Sequence, residues 1–207
     1  MAPEDAPALE SAPQPEPPPP PPPPPRSKGD RTRRRLLDAG AAELARHGRS
    51  GVNLSAIAAA AGLKTGSIYF HFESKEHLVA AVLEEGMRAT LEYLDAALET
   101  AGPSPEARLR AAIEAHAVAV HELRDYTMAV LAPNSPADDG ESFRAMRRDY
   151  VERWTELLSQ AQRSGALPVT VDARLVRDLL FGAINSVGLA GRPAHEVTSA
   201  VCTLLGL

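Results

Sequence analysis

Beyond residue 31 the apolar positions of this chain fall three and four residues apart almost without interruption, the period of an α-helix that buries one face. Leu36, Leu37, Gly40, Ala41, Leu44 and Ala45 mark a first helix over Thr32 to His47, and Gly48 is placed to stop it. Asn53 can cap a second, in which Leu54, Ile57, Ala58 and Ala61 share one face before Gly62 ends it. A short third helix follows and buries Leu63, Ile68 and Phe72. Ser74 then caps a long helix carrying Leu78, Val82, Leu83, Met87, Leu91, Leu94 and Leu98, ending near Gly102. Ser104 and Pro105, a cap and a proline at the first helical position, open the next, with Leu109, Ile113, His116, Val120 and Leu123 on its stripe. A brief helix over Tyr126 to Leu131 and a loop over residues 132–141 lead to Phe143, Met146, Tyr150, Trp154, Leu157, Leu158 and Ala161, closed by Gly165. Two apolar helices, Asp172 to Leu189 and Pro193 to Leu205, finish the chain. The fold class expected is all-α.

Composition agrees with that pattern. Hydrophobic residues are 44% of the 207, aromatics only 4%, and alanine and leucine outweigh the β-branched residues, which favours helix over strand. The length supports a genuine core without staples. The single cysteine, Cys202, excludes an internal disulfide and has no metal-ligand pattern around it, so a reducing, cytoplasmic setting is expected. His116 and His121, five residues apart, do not share a helix face, and neither a metal nor any other cofactor is expected. No apolar run reaches the roughly 18 residues of a membrane span. Arg177 and Asp178 interrupt the best candidate, and the N-terminus lacks the organisation of a signal peptide.

Charge changes the picture. Residues 1–25 hold four acids and no base, residues 26–75 hold ten Lys/Arg against four acids, and residues 76–207 hold twelve against nineteen. A net charge of -5 therefore conceals a basic head on an acidic body, the distribution of a protein that sets one end on phosphates. The first 25 residues contain thirteen of the nineteen prolines, with an unbroken run from Pro17 to Pro25. They read as a polyproline II spacer in a disordered arm; a docking ligand for a proline-recognising groove is the competing reading. Arg26, Lys28, Arg31, Arg33, Arg34 and Arg35 follow at once. Such a cluster is commonly a solvated face, but here it leads into the first helix, where an arm containing Arg33 can reach phosphates or a minor groove.

The stretch Val52 to Lys75 has the spacing of a helix-turn-helix: small Ala58 for close approach, Gly62 for the left-handed turn, and apolar Ile68 six residues on. Its second helix presents Lys64, Thr65, Ser67, Tyr69 and His71, while Gly66 removes a side chain at close approach. Lys64, Thr65 and Ser67, near the N-terminal end, suit base edges; Tyr69, His71 and Lys75 suit the phosphate backbone.

Ile57-Ala58, Ala61-Gly62, Tyr69-Phe70-His71-Phe72, Lys75 and Leu78 stand in one register. At these residues, over about 31–80, the chain resembles the TetR (tetracycline-repressor-like) family of transcriptional regulators. It departs from the family pattern at Asn53, where a hydroxyl cap and phosphate contact is usual, at Ser55, where a longer polar residue is usual, and at Leu44, where phenylalanine is usual. The resemblance implies an N-terminal three-helix DNA-binding domain and a C-terminal helical domain that binds a small-molecule effector and dimerises. The division expected is a disordered tail over 1–25, a DNA-binding domain over 26–75 and an effector-binding and dimerisation domain over 76–207. It further implies a homodimeric repressor on a near-palindromic double-stranded operator, released by a small hydrophobic effector. Its recognition helices would stand roughly 34 to 36 Å apart if one turn of DNA separates them.

Met87, Leu91, His116, Val120, Tyr126, Phe143, Met146, Tyr150, Trp154 and Asn185 are the candidates for the effector cavity, although a Met and aromatic stripe at helical spacing also describes ordinary core. Asn185 is alternatively a residue of the dimer seam or, as the reading favoured here, one that bonds a backbone group. The last two helices resemble the family's dimer interface, with Leu175, Leu179, Ala183, Val187, Val197, Val201 and Leu204 on the seam. Gly165-Ala-Leu-Pro168, Asp172 and the run Leu179 to Asn185 are similar to regulators that sense lipid-like or acyl-thioester ligands. An enzyme finds little support: Gly62-Leu-Lys-Thr-Gly66 is not a phosphate-binding loop, and no nucleophile elbow or Cys/His pair occurs. A proline-tailed helical adaptor that binds protein and not DNA is the other alternative, and it leaves Lys64 to Lys75 unexplained.

Overall fold

A computed structural model describes residues 27–132 and 140–207; the proline-rich tail, Arg26 and most of the loop expected over 132–141 lie outside the described residues. Among the described residues there are helices and no strand. The first, α1 (Lys28–Gly51), starts four residues before Thr32, because Ser27 and Asp30 form a capping box. The Asp30 N–H donates to Ser27 Oγ at 3.1 Å and the Ser27 N–H to Asp30 Oδ2 at 3.0 Å. At Gly48 the backbone leaves the helical region (φ 63, ψ 177), so the break expected there falls inside the element. The next helix, α2 (Leu54–Ala60), is capped by Asn53, whose side chain accepts from the Ser55 and Ala56 N–H groups at 2.9 and 3.3 Å.

The third segment is not an α-helix. Thr65–Phe70 winds as a 3-10 helix, with Ser67 N bonded to Lys64 O and His71 N to Ile68 O, both at 2.8 Å. Its residues include Gly66 and the β-branched Thr65 and Ile68, and it has no side-chain cap, which makes poor material for an α-helical nucleus. The tighter turn still buries Ile68.

The body follows as α3 (Lys75–Thr100), α4 (Pro105–Glu122), α5 (Arg124–Leu131), α6 (Glu141–Arg163), α7 (Ala173–Leu189) and α8 (Ala194–Leu205). Ser74, Ser104 and Asp172 each accept a backbone N–H of the helix they begin. At the centre lies α4, packed against α3, α6, α7 and α8. Its leucine and isoleucine stripe covers one side, and the buried Ala112, Ala115, Ala117 and Ala119 let neighbours approach the others.

Head and body share α3. Gly40 of α1 lies under Leu78 and Val82, where an added Cβ would come within 2.9 Å of Val82 Cγ2. The first turns of α3 thus complete the core that also holds Leu36, Leu37, Leu44, Ile57, Ile68 and Phe72.

Candidate DNA interface and effector cavity

The turn between α2 and the 3-10 helix is set by Gly62, whose φ of +66 L side chains rarely adopt and whose missing Cβ leaves room for the Arg35 guanidinium. Around that turn the residues expected to meet DNA share one surface. Lys64, Thr65 and Gly66 are exposed, Ser67 and His71 are half-buried, and Tyr69 is 57% exposed. Asn53 and Ser55 open α2 beside them, and a 3.3 Å hydrogen bond from the Thr65 hydroxyl to Ser55 Oγ ties the two segment starts together. Two of the expected residues also make contacts within the protein. Lys75 Nζ donates to the Ser50 carbonyl at 3.3 Å, so it clamps α3 to the end of α1. Arg33 is not on a loose arm: it belongs to α1 and its guanidinium lies over the Phe72 ring, 5.2 Å from the centroid.

Phe70 was not among the expected contacts, yet it is 89% exposed beside Tyr69. The signal for it was present in the sequence. With Ile68 and Phe72 both turned into the core, the aromatic between them has to face outward.

In the body a cavity of about 510 Å³ opens between α3, α4, α5, α6 and α7, within the size range of small-molecule sites. Of the ten expected residues, Met87, His116, Tyr126, Tyr150 and Asn185 line it. Leu91, Val120, Phe143, Met146 and Trp154 do not: Val120, Phe143 and Trp154 are buried core, and Leu91 and Met146 pack against that core. Gly86, Thr90, Thr127, Val130, Leu131, Val151 and Phe181 complete the apolar and hydroxyl lining. A polar part was not foreseen at all: Arg144, Arg147, Arg148 and Arg177, with Asp178 the one carboxylate among the lining residues. Arg147 and Arg148 are exposed and form no ion pair among the described residues. Arg177 is held in place, donating to Thr155 Oγ1 at 2.7 Å and pairing with Asp178.

The cavity wall contains a cluster of rings. Phe181 lies 4.9 Å from His116 and 5.7 Å from Tyr150, centroid to centroid, with Trp154 edge-on behind it. Tyr150 Oη and His116 Nδ1 are hydrogen-bonded at 2.8 Å. Burial lowers the His116 pKa to about 4, so its imidazole is neutral at physiological pH, and burial raises that of the Tyr150 phenol. The Asn185 side chain hydrogen-bonds His116 and so opposes the lowering of the His116 pKa, and among the described residues Asn185 Oδ1 bonds no backbone group.

One lining residue also touches the head. The Tyr126 hydroxyl donates to Asp38 Oδ1 of α1 at 2.7 Å, and Arg34 donates to the same carboxylate at 3.1 Å. Arg34 also bonds Glu85 of α3, which accepts from Arg88 at 2.6 Å. Gly86 brings α3 against Tyr126, since a Cβ there would stand 3.0 Å from the Tyr126 Cβ. Burial, then the Asp38 hydrogen bond, raise the Tyr126 pKa well above the usual phenol value, which keeps it a donor.

On the far side of the body Leu175, Leu179, Ala183 and Val187 form an exposed row along α7, joined by Leu204 of α8; Leu179 is 63% and Leu204 86% exposed. Val197 and Val201, expected on the same seam, are instead buried in the protomer's own core. The face of α8 that carries them is the one turned inward, where α8 packs on α4.

The family model described as "Bacterial regulatory proteins, tetR family" matches residues 36–82, and that described as "Tetracyclin repressor-like, C-terminal domain" matches residues 102–189. The chain is 25% identical over 153 residues to the fatty acid metabolism regulator protein of Bacillus subtilis (strain 168), covering 72% of this chain and 78% of that protein. It is similar in fold to the transcriptional regulator FadR from Bacillus subtilis in complex with stearoyl-CoA: TM-score 0.67, 20% identity, 83% of this chain and 96% of that one. It is similar as well to AibR in complex with isovaleryl coenzyme A and operator DNA: TM-score 0.71, 22% identity, 84% of this chain and 97% of that one.

Proposed function

Because this chain belongs to the tetR family of bacterial regulatory proteins, we propose that it is a homodimeric cytoplasmic repressor, without enzymatic activity, that binds a near-palindromic operator and is released by an acyl thioester of coenzyme A. The observation that carries the effector class is the lining of the cavity. The lining combines apolar residues such as Phe181 and Met87 with four arginines against one carboxylate, two of them, Arg147 and Arg148, exposed, which suits a molecule with a hydrocarbon end and a phosphate-bearing end. The coenzyme A ligands named for the two structural neighbours point the same way.

In this reading residues 26–75 meet DNA and residues 76–207 bind effector and partner. Lys64, Thr65 and Ser67 meet base edges, Phe70 offers apolar contact to a thymine methyl, and Tyr69, His71, Asn53, Ser55 and Arg33 hold phosphates. The row along α7 with Leu204 forms the dimer seam. The effector acts through differential affinity: packed against Tyr126, it favours a state in which the Asp38 bond and the seat of α1 differ, and the spacing of the two heads no longer fits the operator.

Selection of bound sequences from a random DNA pool tests the DNA assignment. The expected result is one enriched near-palindrome, bound with a steep salt dependence and lost on Tyr69→Ala. A pool with no enriched sequence, or an enriched site unaffected by Tyr69→Ala, contradicts it.

A further inference from the structure

A carbonyl group that leaves water for a chamber of rings and aliphatic side chains loses its hydrogen bonds, so a site for an acyl thioester has to supply a donor to the thioester oxygen. Most donors of the lining are already committed to acceptors of the protein itself. The Thr90 hydroxyl donates to the Gly86 carbonyl at 2.8 Å, and the Tyr126 hydroxyl donates to Asp38. Tyr150 Oη and His116 Nδ1 share one hydrogen bond, and the Asn185 side chain bonds His116.

Arg177 is placed differently. Its side chain lines the cavity yet is only 13% exposed, and it is held from two helices. Nε and Nη2 donate to Asp178 Oδ1 at 2.9 and 2.7 Å, and Nη1 donates to Thr155 Oγ1 of α6 at 2.7 Å. The Thr155 hydroxyl gives its own hydrogen to the Val151 carbonyl, so toward Arg177 it can only accept, which fixes the direction of that bond. A guanidinium has five N–H groups, and one on each terminal nitrogen is therefore left over. Phe181, one turn further along α7, stacks on Tyr150, so the guanidinium borders the ring cluster.

Charge decides what the two remaining N–H groups suit. Asp178 already neutralises Arg177, which favours an uncharged oxygen over a phosphate, whereas Arg147 and Arg148 are exposed and form no ion pair among the described residues. Thr127 and the Asn185 amide are the other donors of the lining, but both are uncharged, and a guanidinium makes the stronger hydrogen bond to a carbonyl.

We infer that Arg177, positioned by Thr155, holds the carbonyl oxygen of the effector's thioester, and so distinguishes an acyl thioester from a chain joined to sulfur without a carbonyl. This rests on the reading of the effector as an acyl thioester of coenzyme A.

Calorimetric titration of the full chain tests it with two probes, octanoyl-coenzyme A and S-octyl-coenzyme A, in which a methylene replaces the carbonyl. The thioester is expected to bind the unsubstituted protein about tenfold or more tighter. Arg177→Met is expected to abolish that preference while S-octyl-coenzyme A binds within a few-fold of its former affinity. Thr155→Val, which removes the acceptor that fixes the guanidinium, is expected to reduce the preference without changing the affinity for S-octyl-coenzyme A. Equal affinities in the unsubstituted protein overturn the assignment of Arg177 alone. So does a preference that persists in an Arg177→Met protein still able to bind operator DNA, since the carbonyl then lies on another donor. Where Arg177→Met does not fold, a preference unmoved by Thr155→Val overturns it. If neither probe binds while operator DNA does, the coenzyme A reading falls as well.

Discussion

His116 is buried among Tyr150, Trp154 and Phe181, and keeping it neutral has a thermodynamic consequence. Its pKa falls from 6.5 to about 4 through burial, so between those values the unfolded chain takes up a proton that the folded protein refuses. Stability should therefore be level in this respect above pH 6.5, decline as pH falls toward about 4, and level off again below that. The full loss is roughly 3 kcal/mol, on the rule of 1.36 kcal/mol per unit. Urea denaturation from pH 7.5 down to pH 4 is the measurement, and His116→Phe should flatten the part of the slope that the imidazole supplies. A variant curve parallel to that of the unsubstituted protein would show that this histidine is not the group responsible.

Among the elements, α5 carries the link in the proposed switch, because Tyr126 faces the cavity on α5 and bonds α1 through Asp38. Tyr126→Phe keeps the ring and removes that bond. It should cost about 1 kcal/mol of stability. It should also weaken the coupling between effector and operator, leaving operator affinity in the absence of effector within a few-fold. Coupling in such systems is typically about 5- to 150-fold, and its reduction is read as operator affinity measured with and without stearoyl-CoA. A coupling factor unchanged by Tyr126→Phe would place the route elsewhere. The elements themselves were legible in the sequence to differing degrees. Asn53, Ser74 and Ser104 cap helices as their chemistry predicts, since a cap is a local interaction. The 3-10 winding of Thr65–Phe70 was not legible, because a stripe with Ile68 inward is compatible with either pitch over so short a run. Arg144, Arg147 and Arg148 are not legible in the sequence because arginines at helical spacing read as a solvated face; only the packing of α6 against α3, α4 and α7 turns them toward a chamber. Val197 and Val201 were misplaced for the converse reason: α8 is apolar on two faces, and which one turns inward is decided by α4.

At the scale of the whole molecule, the proposed function needs a basic head, a cavity and an apolar outer face to work together in a dimer. Leu175, Leu179 and Val187 expose large apolar side chains in one row along α7, the kind of surface that marks an interface. Leu179→Glu should convert the dimer to a folded monomer by light scattering, with the helical signal retained because Leu179 is exposed in the protomer, and should weaken operator binding at least about tenfold. Val201→Glu, by contrast, puts an unpaired charge into the protomer core and should unfold it. A Leu179→Glu protein that remains dimeric would move the seam to another face. The central claim, a DNA-binding regulator whose operator affinity depends on an acyl thioester, is tested most directly by fluorescence anisotropy. The selected operator, saturated with protein at fixed salt, is titrated with stearoyl-CoA and, in parallel, with free coenzyme A. Release of the DNA by the thioester, at concentrations where free coenzyme A does nothing, is the expected result; retention of the complex at saturating thioester would contradict that claim.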